Sequence, residues 1–433
     1  IMPSLVGSEM CIRDSMDSII INGGNELKGS VLISGAKNAV LPMMAASLLA
    51  DGVTIISNVP DLRDTRTMAS LIEITGAQVQ LNYPEMSIDA STVHTLEAPY
   101  ELVKTMRAGV LVLGPLLTRY KKAKISLPGG CAIGSRPVNL HIDAMRSMGA
   151  EILLEEGYIK AKSNGPLRGA NIDLDPVSVT ATENILMAAV LAEGITTVSN
   201  AAKEPEVVDL AKCLNKMGAN IKGEGSDKII VEGVKSLEGC EFSVMPDRVE
   251  TATYLTAVTM TGGKIKIKNT MPDSLTSVIH KLEESGAEIS TGKDWVLLEM
   301  KKERPISISL STGPYPSFPT DMQAQFVALN SIANGSASIS ETVFENRFMH
   351  VQEIVRMGGK ISLKGNTAII EGTKNLVGAQ VMATDLRASA SLVLAGLVAK
   401  GKTEIDRIYH IDRGYERIEE KLSMLGADIE RIS

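Results

Sequence analysis

MRSMGAEILL at residues 145–154 carries the pattern that decides the fold: apolar residues at helical spacing, a glycine, then alternating strand-like residues. The same form stands as LIEITGAQVQ (71–80), LNKMGANIKG (214–223), LEESGAEIST (282–291), VRMGGKISLK (355–364) and LSMLGADIER (422–431). The central residues Gly76, Gly149, Gly218, Gly286, Gly358 and Gly426 are separated by 73, 69, 68, 72 and 68 residues. A period this regular means one structural unit copied six times.

Each copy predicts a helix stopped by a left-handed glycine and followed by a strand such as Ala150–Leu154. A second helical segment also recurs, again ending near glycine and entering a strand. Examples are ILMAAVLAEGITTVSNA (185–201), YLTAVTMTGGKIKIKN (254–269) and LVLAGLVAKGKTEIDR (392–407). The unit reads as βαβαββ. Two compact domains of three units suit the usual domain size of about 100–200 residues better than a solenoid does. Ser389–Val398 is apolar on most faces, so such helices belong inside, with sheets outside them. The predicted fold class is α/β (α+β): a two-domain, inside-out α/β barrel of six βαβαββ repeats. Repeats also build binding scaffolds, so they give architecture without function.

The 433 residues are enough for a sizeable core, and 44% are hydrophobic with only 3% aromatic, so that core is aliphatic, with 21 Met contributing. A formal net charge of −7 argues against a broad nucleic-acid surface but leaves room for a few arginines around a small anion. Four cysteines are too few for a disulfide framework. No apolar run reaches the roughly 18 residues of a membrane span, so a soluble, cytoplasmic protein is expected. The stretch LVGSEMCIRDS at 5–15 resembles translated sequencing-adapter sequence. Residues 1–15 are expected to be a non-native extension, with Met16 as the start and Cys11 outside the chemistry.

Four places break the repeat. In SGAKNA (34–39), small residues before a helix leave room for an anion, and Lys37 adds charge. LPGGCAIGSRP (127–137) puts Cys131 in a glycine-rich loop with Arg136 five residues on, a setting that lowers a thiol pKa. Cys213 and Cys240 read instead as small buried hydrophobes. Asp321 in FPTDMQAQ (318–325) reads locally as a helix N-cap, and otherwise as a base facing a cleft. Arg107, Arg387 and Arg413 sit in unusual contexts. Their forks match phosphate and carboxylate, although each alone would pass for a surface ion pair. No His or Cys cluster has metal-ligand spacing, and no cofactor is expected.

Taken together these segments resemble the UDP-N-acetylglucosamine 1-carboxyvinyltransferase family, the first committed enzymes of peptidoglycan synthesis. The resemblance runs from Met16 to the C-terminus through SGAKNA (34–39), LVKTMRA (102–108), LPGGCAIGSRPVNLH (127–141), FPTDMQAQF (318–326), ETVFENRFMH (341–350), ATDLRASASLVLAG (383–396) and DRIYHIDRGYERIE (406–419). It implies an enolpyruvyl transferase-like fold, with residues 16–36 and 246–433 in one domain and 37–245 in the other, facing each other across a cleft. It implies transfer of the enolpyruvyl group of phosphoenolpyruvate to the sugar 3-hydroxyl through a tetrahedral ketal.

By the same resemblance Cys131 is the acid that protonates the methylene carbon and the target of fosfomycin, and Asp321 is the base. Lys37, Asn38, Arg136, Arg387 and Arg413 bind phosphoenolpyruvate. The nucleotide sugar falls to Asn38, Arg107, Arg136, Pro137, Val138, Asn139, Leu140, Pro176, Val177, Ser178, Val179, Asp321, Val343 and Glu345. Many members have Asp at the position of Asn139 and Lys at that of Pro176, which bears on nucleotide affinity. The expected partners are the two small-molecule substrates, with no metal, nucleic acid, membrane or obligate protein partner. The rivals are a 5-enolpyruvylshikimate-3-phosphate synthase-like transferase and a non-catalytic nucleotide-sugar-binding paralogue. The related RNA 3′-phosphate cyclase branch finds no support in charge or motif.

Overall fold

The computed structural model describes residues 17–127 and 138–432. They form two compact units: 17–34 with 247–432, and 35–127 with 138–246. Among the described residues each unit holds three four-stranded sheets of a single pattern.

In the first unit, Leu27–Leu32 runs parallel to Gly263–Lys268, which pairs antiparallel with Trp295–Met300, itself antiparallel to Glu288–Thr291. Leu310–Ser311, Ser336–Ser340, Thr367–Glu371 and Lys360–Lys364 repeat that order. The third sheet is completed from the other end of the chain. Gln380–Met382 lies parallel to Lys402–Asp406, and Ser18–Asn22 fits antiparallel between the latter and Asp428–Ile432. Ile19 faces Ile405 and Ile21 faces Ile429, a register that keeps both isoleucines on the buried face.

The second unit closes in the same way. Glu241–Ser243, late in its sequence, adds in parallel to Val53–Ser57, beside Glu85–Asp89 and Gln78–Asn82. Its other sheets run Glu97–Ala98, Lys122–Ser126, Tyr158–Lys162, Glu151–Glu155, and Asn171–Asp173, Ile195–Ser199, Lys228–Glu232, Asn220–Lys222.

Strand chemistry explains which face is covered. In GKIKIK (263–268), Ile265 and Ile267 are fully buried while the lysines point outward, and Lys266 lies over the Trp295 ring at 4.4 Å. Each such isoleucine contributes roughly 1.5–3 kcal/mol by burial.

The helices are of two kinds. Arg248–Thr261, Gln323–Ile332 and Leu386–Val398 fill the first unit, and Lys37–Ala46, Leu113–Tyr120 and Val179–Ala189 the second. In Arg248–Thr261 every side chain from Val249 to Met260 is buried. Its threonines are tolerated there because Thr251, Thr253, Thr256 and Thr259 donate their hydroxyls to carbonyls one turn back, at 2.8–3.1 Å.

The second kind is amphipathic: Arg63–Ile74, Asn139–Ser147, Pro205–Lys216, Thr276–Glu284, His350–Arg356 and Ile418–Met424. Each leads to one of the six periodic glycines, whose φ values lie between 91° and 108°. After five of the six the following N–H reaches back five residues, as in Ala150 to Met145, Ala219 to Leu214, Ala287 to Leu282 and Ala427 to Leu422, at 3.0–3.1 Å. These are Schellman stops, and they supply the physical reason for the period seen in the sequence. Among the described residues no helix is long and apolar enough to cross a membrane.

Candidate active site

The interior helices carry the candidate residues at their N-terminal ends. Lys37 is the first residue of its helix, and Arg107 opens the 3₁₀ turn Arg107–Val112 that runs into Leu113–Tyr120. Val179 begins its helix, Asp321 sits in the turn Thr320–Met322 before Gln323–Ile332, and Arg387 is second in Leu386–Val398. Unpaired N–H groups and the helix dipole make such ends favourable for anions.

In the first unit the centre is Asp321. The cap position of its turn is Pro319, which makes no side-chain cap, so the local expectation of an N-cap aspartate is corrected. The carboxylate is held by arginines instead. Its Oδ1 lies 2.7 Å from Arg347 Nη2 and its Oδ2 lies 3.4 Å from Arg387 Nε. Both arginine side chains are nearly inaccessible, at 6% and 4%, while that of Asp321 keeps 23% exposure. The acid therefore has a fixed orientation and partial exposure.

Each arginine is itself fixed. Arg347 Nη1 donates to Thr320 Oγ1 at 2.7 Å, and its guanidinium covers the Phe344 ring at 5.0 Å. Thr320 Oγ1 in turn donates to Glu341 Oε2 at 2.8 Å. The other oxygen of Glu341 accepts from Thr312 Oγ1 and from the backbone N–H groups of Val343 and Phe344, at 2.8–3.1 Å. One buried glutamate thus orders the segment bearing the exposed Val343 and Glu345 and links it to Thr320.

Arg387 Nη1 donates to the Gly414 carbonyl at 3.3 Å, Nη2 lies 3.8 Å from Asp247 Oδ2, and the group sits 5.2 Å from the Tyr415 ring. Burial works against the Arg387 charge, but Tyr415, Asp247 and Asp321 outweigh it and hold the guanidinium above its ordinary range. Asp247 and Asp385 are the side-chain caps of the neighbouring interior helices. Arg413 is half-buried in the turn whose Gly414 meets Arg387.

In the second unit Lys37 Nζ pairs with Asp64 Oδ2 at 2.9 Å, with side-chain exposures of 13% and 3%. Asn38 beside it is exposed. Arg107 is half-buried, and its Nη1 is enclosed without a hydrogen-bond partner among the described residues. Such an orphaned guanidinium nitrogen suits an anionic or carbonyl oxygen.

Ser178 caps the helix Val179–Ala189 by accepting from Ala181 N. Val177, Ser178 and Val179 are half-buried, and Pro176 is exposed. Val138 and Leu140 are half-buried and Asn139 exposed, at the head of the helix Asn139–Ser147. That helix is anchored by buried His141, whose Nδ1 pairs with Asn184 Nδ2 at 3.0 Å; Asn184 Oδ1 also accepts from Gly114 N at 2.7 Å. Cys131, Arg136 and Pro137 lie outside the described residues.

The sequence reading missed Arg347, Glu341, Asp64 and Tyr415. The string ETVFENRFMH contained the first two, but only the fold brings Glu341 and Arg347 against Thr320 and Asp321. Cys240, expected to be a buried hydrophobe like Cys213, is only half-buried. Among the described residues no group of three or more His, Cys, Asp or Glu could hold a metal ion.

Comparison with known proteins bears on what this arrangement does. Residues 21–422 match the family model of EPSP synthase (3-phosphoshikimate 1-carboxyvinyltransferase). The structure is similar to the enolpyruvyl transferase NikO from Streptomyces tendae, with a TM-score of 0.86 and 25% identity over 96% of this chain and 99% of that one. It has the same fold as an EPSP synthase from Acinetobacter baumannii, with a TM-score of 0.75 and 20% identity over 96% of this chain and all of that one.

Proposed function

The chain belongs to the EPSP synthase family of enolpyruvyl transferases, and from that premise we propose that it moves the enolpyruvyl group of phosphoenolpyruvate to the 3-hydroxyl of UDP-N-acetylglucosamine with release of phosphate. The observation that carries this reading is the Asp321 carboxylate, fixed at 2.7 Å by Arg347 and 3.4 Å by Arg387 while its side chain stays 23% exposed. Adding an alcohol across an enol double bond requires a proton removed from oxygen and another delivered to carbon. Asp321 takes the first from the sugar hydroxyl, and Cys131 supplies the second to the methylene group.

Lys37, Asn38, Arg136, Arg387 and Arg413 neutralise and orient the phosphate and carboxylate through addition and elimination. Arg107, with its orphaned Nη1, serves the nucleotide sugar, as do residues 136–140 and 176–179, Val343 and Glu345. The choice of nucleotide sugar as acceptor is supported by LPGGCAIGSRPVNLH and FPTDMQAQF. Both substrates are soluble and cytoplasmic, and the product is the first committed intermediate of peptidoglycan.

A second reading, transfer to shikimate 3-phosphate, is favoured by the family model's own description. Phosphate release from phosphoenolpyruvate, measured with either acceptor alone, separates the two. Release that requires UDP-N-acetylglucosamine is expected. Release that requires shikimate 3-phosphate and ignores the nucleotide sugar would replace the first reading with the second.

A further inference from the structure

Glu341 has no place among the proposed substrate contacts, yet four hydrogen bonds converge on its carboxylate. The residue is 2% exposed, and Asn366 clamps its backbone. Glu341 N donates to the Asn366 carbonyl at 2.8 Å, and Asn366 Nδ2 donates back to the Glu341 carbonyl at 3.0 Å. Oε1 accepts from Val343 N at 2.8 Å, Phe344 N at 3.1 Å and Thr312 Oγ1 at 2.9 Å. Thr312 Oγ1 accepts in turn from Thr342 N at 2.9 Å, so three successive N–H groups end on this carboxylate or on a hydroxyl bound to it.

The second oxygen faces the other way. Oε2 accepts from Thr320 Oγ1 at 2.8 Å, that hydroxyl receives Arg347 Nη1 at 2.7 Å, and Arg347 Nη2 reaches Asp321 Oδ1 at 2.7 Å. An unbroken chain of hydrogen bonds therefore runs from residues 342–344 to Asp321. A glutamate that only capped the loop would need one oxygen for its N–H groups. Glu341 commits the other to the hydroxyl that seats Arg347.

We propose that Glu341 is a positioning residue that couples the acceptor-facing loop to the base, one oxygen ordering residues 342–344 and the other setting Asp321 through Thr320 and Arg347. The role rests on the function proposed above, in which Asp321 is the base and Val343 and Glu345 meet the acceptor. The direction of the chain is fixed by its chemistry. Thr320 has a single proton; by giving it to a carboxylate, which only accepts, it keeps its lone pairs for Arg347. Glu341→Gln preserves a carbonyl oxygen for the loop but turns an N–H donor toward Thr320, whose proton then loses its acceptor.

Phosphate release by the full chain with each acceptor decides the underlying reading first, and the variants are then assayed with the acceptor that the unmodified chain uses. E341Q is expected to lower kcat by about tenfold while the KM for the acceptor stays within about twofold. E341A is expected to lower kcat as far and also to raise the acceptor KM by about tenfold, with the KM for phosphoenolpyruvate unchanged. T320V removes the shared hydroxyl and should match E341Q; combining the two should lower kcat by less than about twofold beyond either alone. Hydrogen–deuterium exchange of the peptide spanning residues 341–346 needs no turnover, and it should quicken in E341A but not in E341Q. A folded E341Q with the kcat of the unmodified chain, or additive losses in T320V with E341Q, would overturn the link to the base. Equal exchange in E341A and the unmodified chain would overturn the link to the loop.

Discussion

Arg347 Nη2 lies 2.7 Å from Asp321 Oδ1, and the same guanidinium holds Thr320 Oγ1 at 2.7 Å, so one buried fork sets both the direction of the acid and the turn that carries it. A lysine could supply the charge but not both contacts at once. Arg347→Lys is therefore expected to lower kcat for phosphate release by roughly 10²-fold, about 2.7 kcal/mol in the barrier. In Asp321→Asn the same substitution should add little, because Arg347 acts through the carboxylate that the first change removes. Additive losses in that double-mutant cycle would show that Arg347 works on the substrate directly.

Lys37 and Asp64 form a largely buried pair at 2.9 Å, and breaking it from one side takes a close counter-charge from the other. Lys37→Met should destabilise the second unit by about 3 kcal/mol, because buried Asp64 loses the cation 2.9 Å from its Oδ2. Lys37→Met with Asp64→Asn removes both charges, and its thermal midpoint should recover most of the loss while activity stays absent. Recovery of activity along with stability would deny Lys37 any contact with phosphoenolpyruvate.

The fold was legible because its unit is copied. Six amphipathic segments with a stop glycine announce six left-handed helix stops, since only local backbone geometry is involved. The positions of Lys37, Asp321 and Arg387 near helix starts could be read in the same way. Their partners could not. Asp64 follows Lys37 after a helix and two strands, Arg347 follows Asp321 after a helix and a strand, and Tyr415 meets Arg387 from beyond two further strands. Such pairings depend on how sheets and helices stack, and single-chain periodicity does not record that.

Two of the stop glycines separate the backbone penalty from crowding. At Gly149 an added Cβ meets nothing within 4 Å, so Gly149→Ala should cost only the left-handed penalty of about 1 kcal/mol. At Gly76 the same methyl would lie 2.2 Å from His94 Nδ1 and 2.8 Å from the Thr92 carbonyl. Gly76→Ala must displace a loop as well as accept φ of +97°, and it should lower the thermal midpoint clearly more. Equal shifts for the two variants would mean that the His94 loop yields without cost.

His141 connects the pH dependence of stability to the site's scaffold. Burial lowers its pKa from 6.5 to about 4, so in the folded chain it stays neutral while accepting from Asn184. The sign follows from proton counts. Below about pH 6.5 the unfolded chain binds a proton at this ring that the folded chain does not, so stability falls as pH drops toward 4, by up to about 1.4 kcal/mol per unit. His350, also lowered to about 4, titrates in the same sense. His141→Gln keeps a polar partner for Asn184 and removes the titration. Between about pH 7 and about pH 5 its thermal midpoint should therefore fall less than that of the unmodified chain, by the equivalent of about 2 kcal/mol. The remaining slope belongs in part to His350. An identical slope in both proteins would show that His141 is protonated in the folded state, and the hydrogen bond with Asn184 would then have to be redrawn with the imidazole as donor.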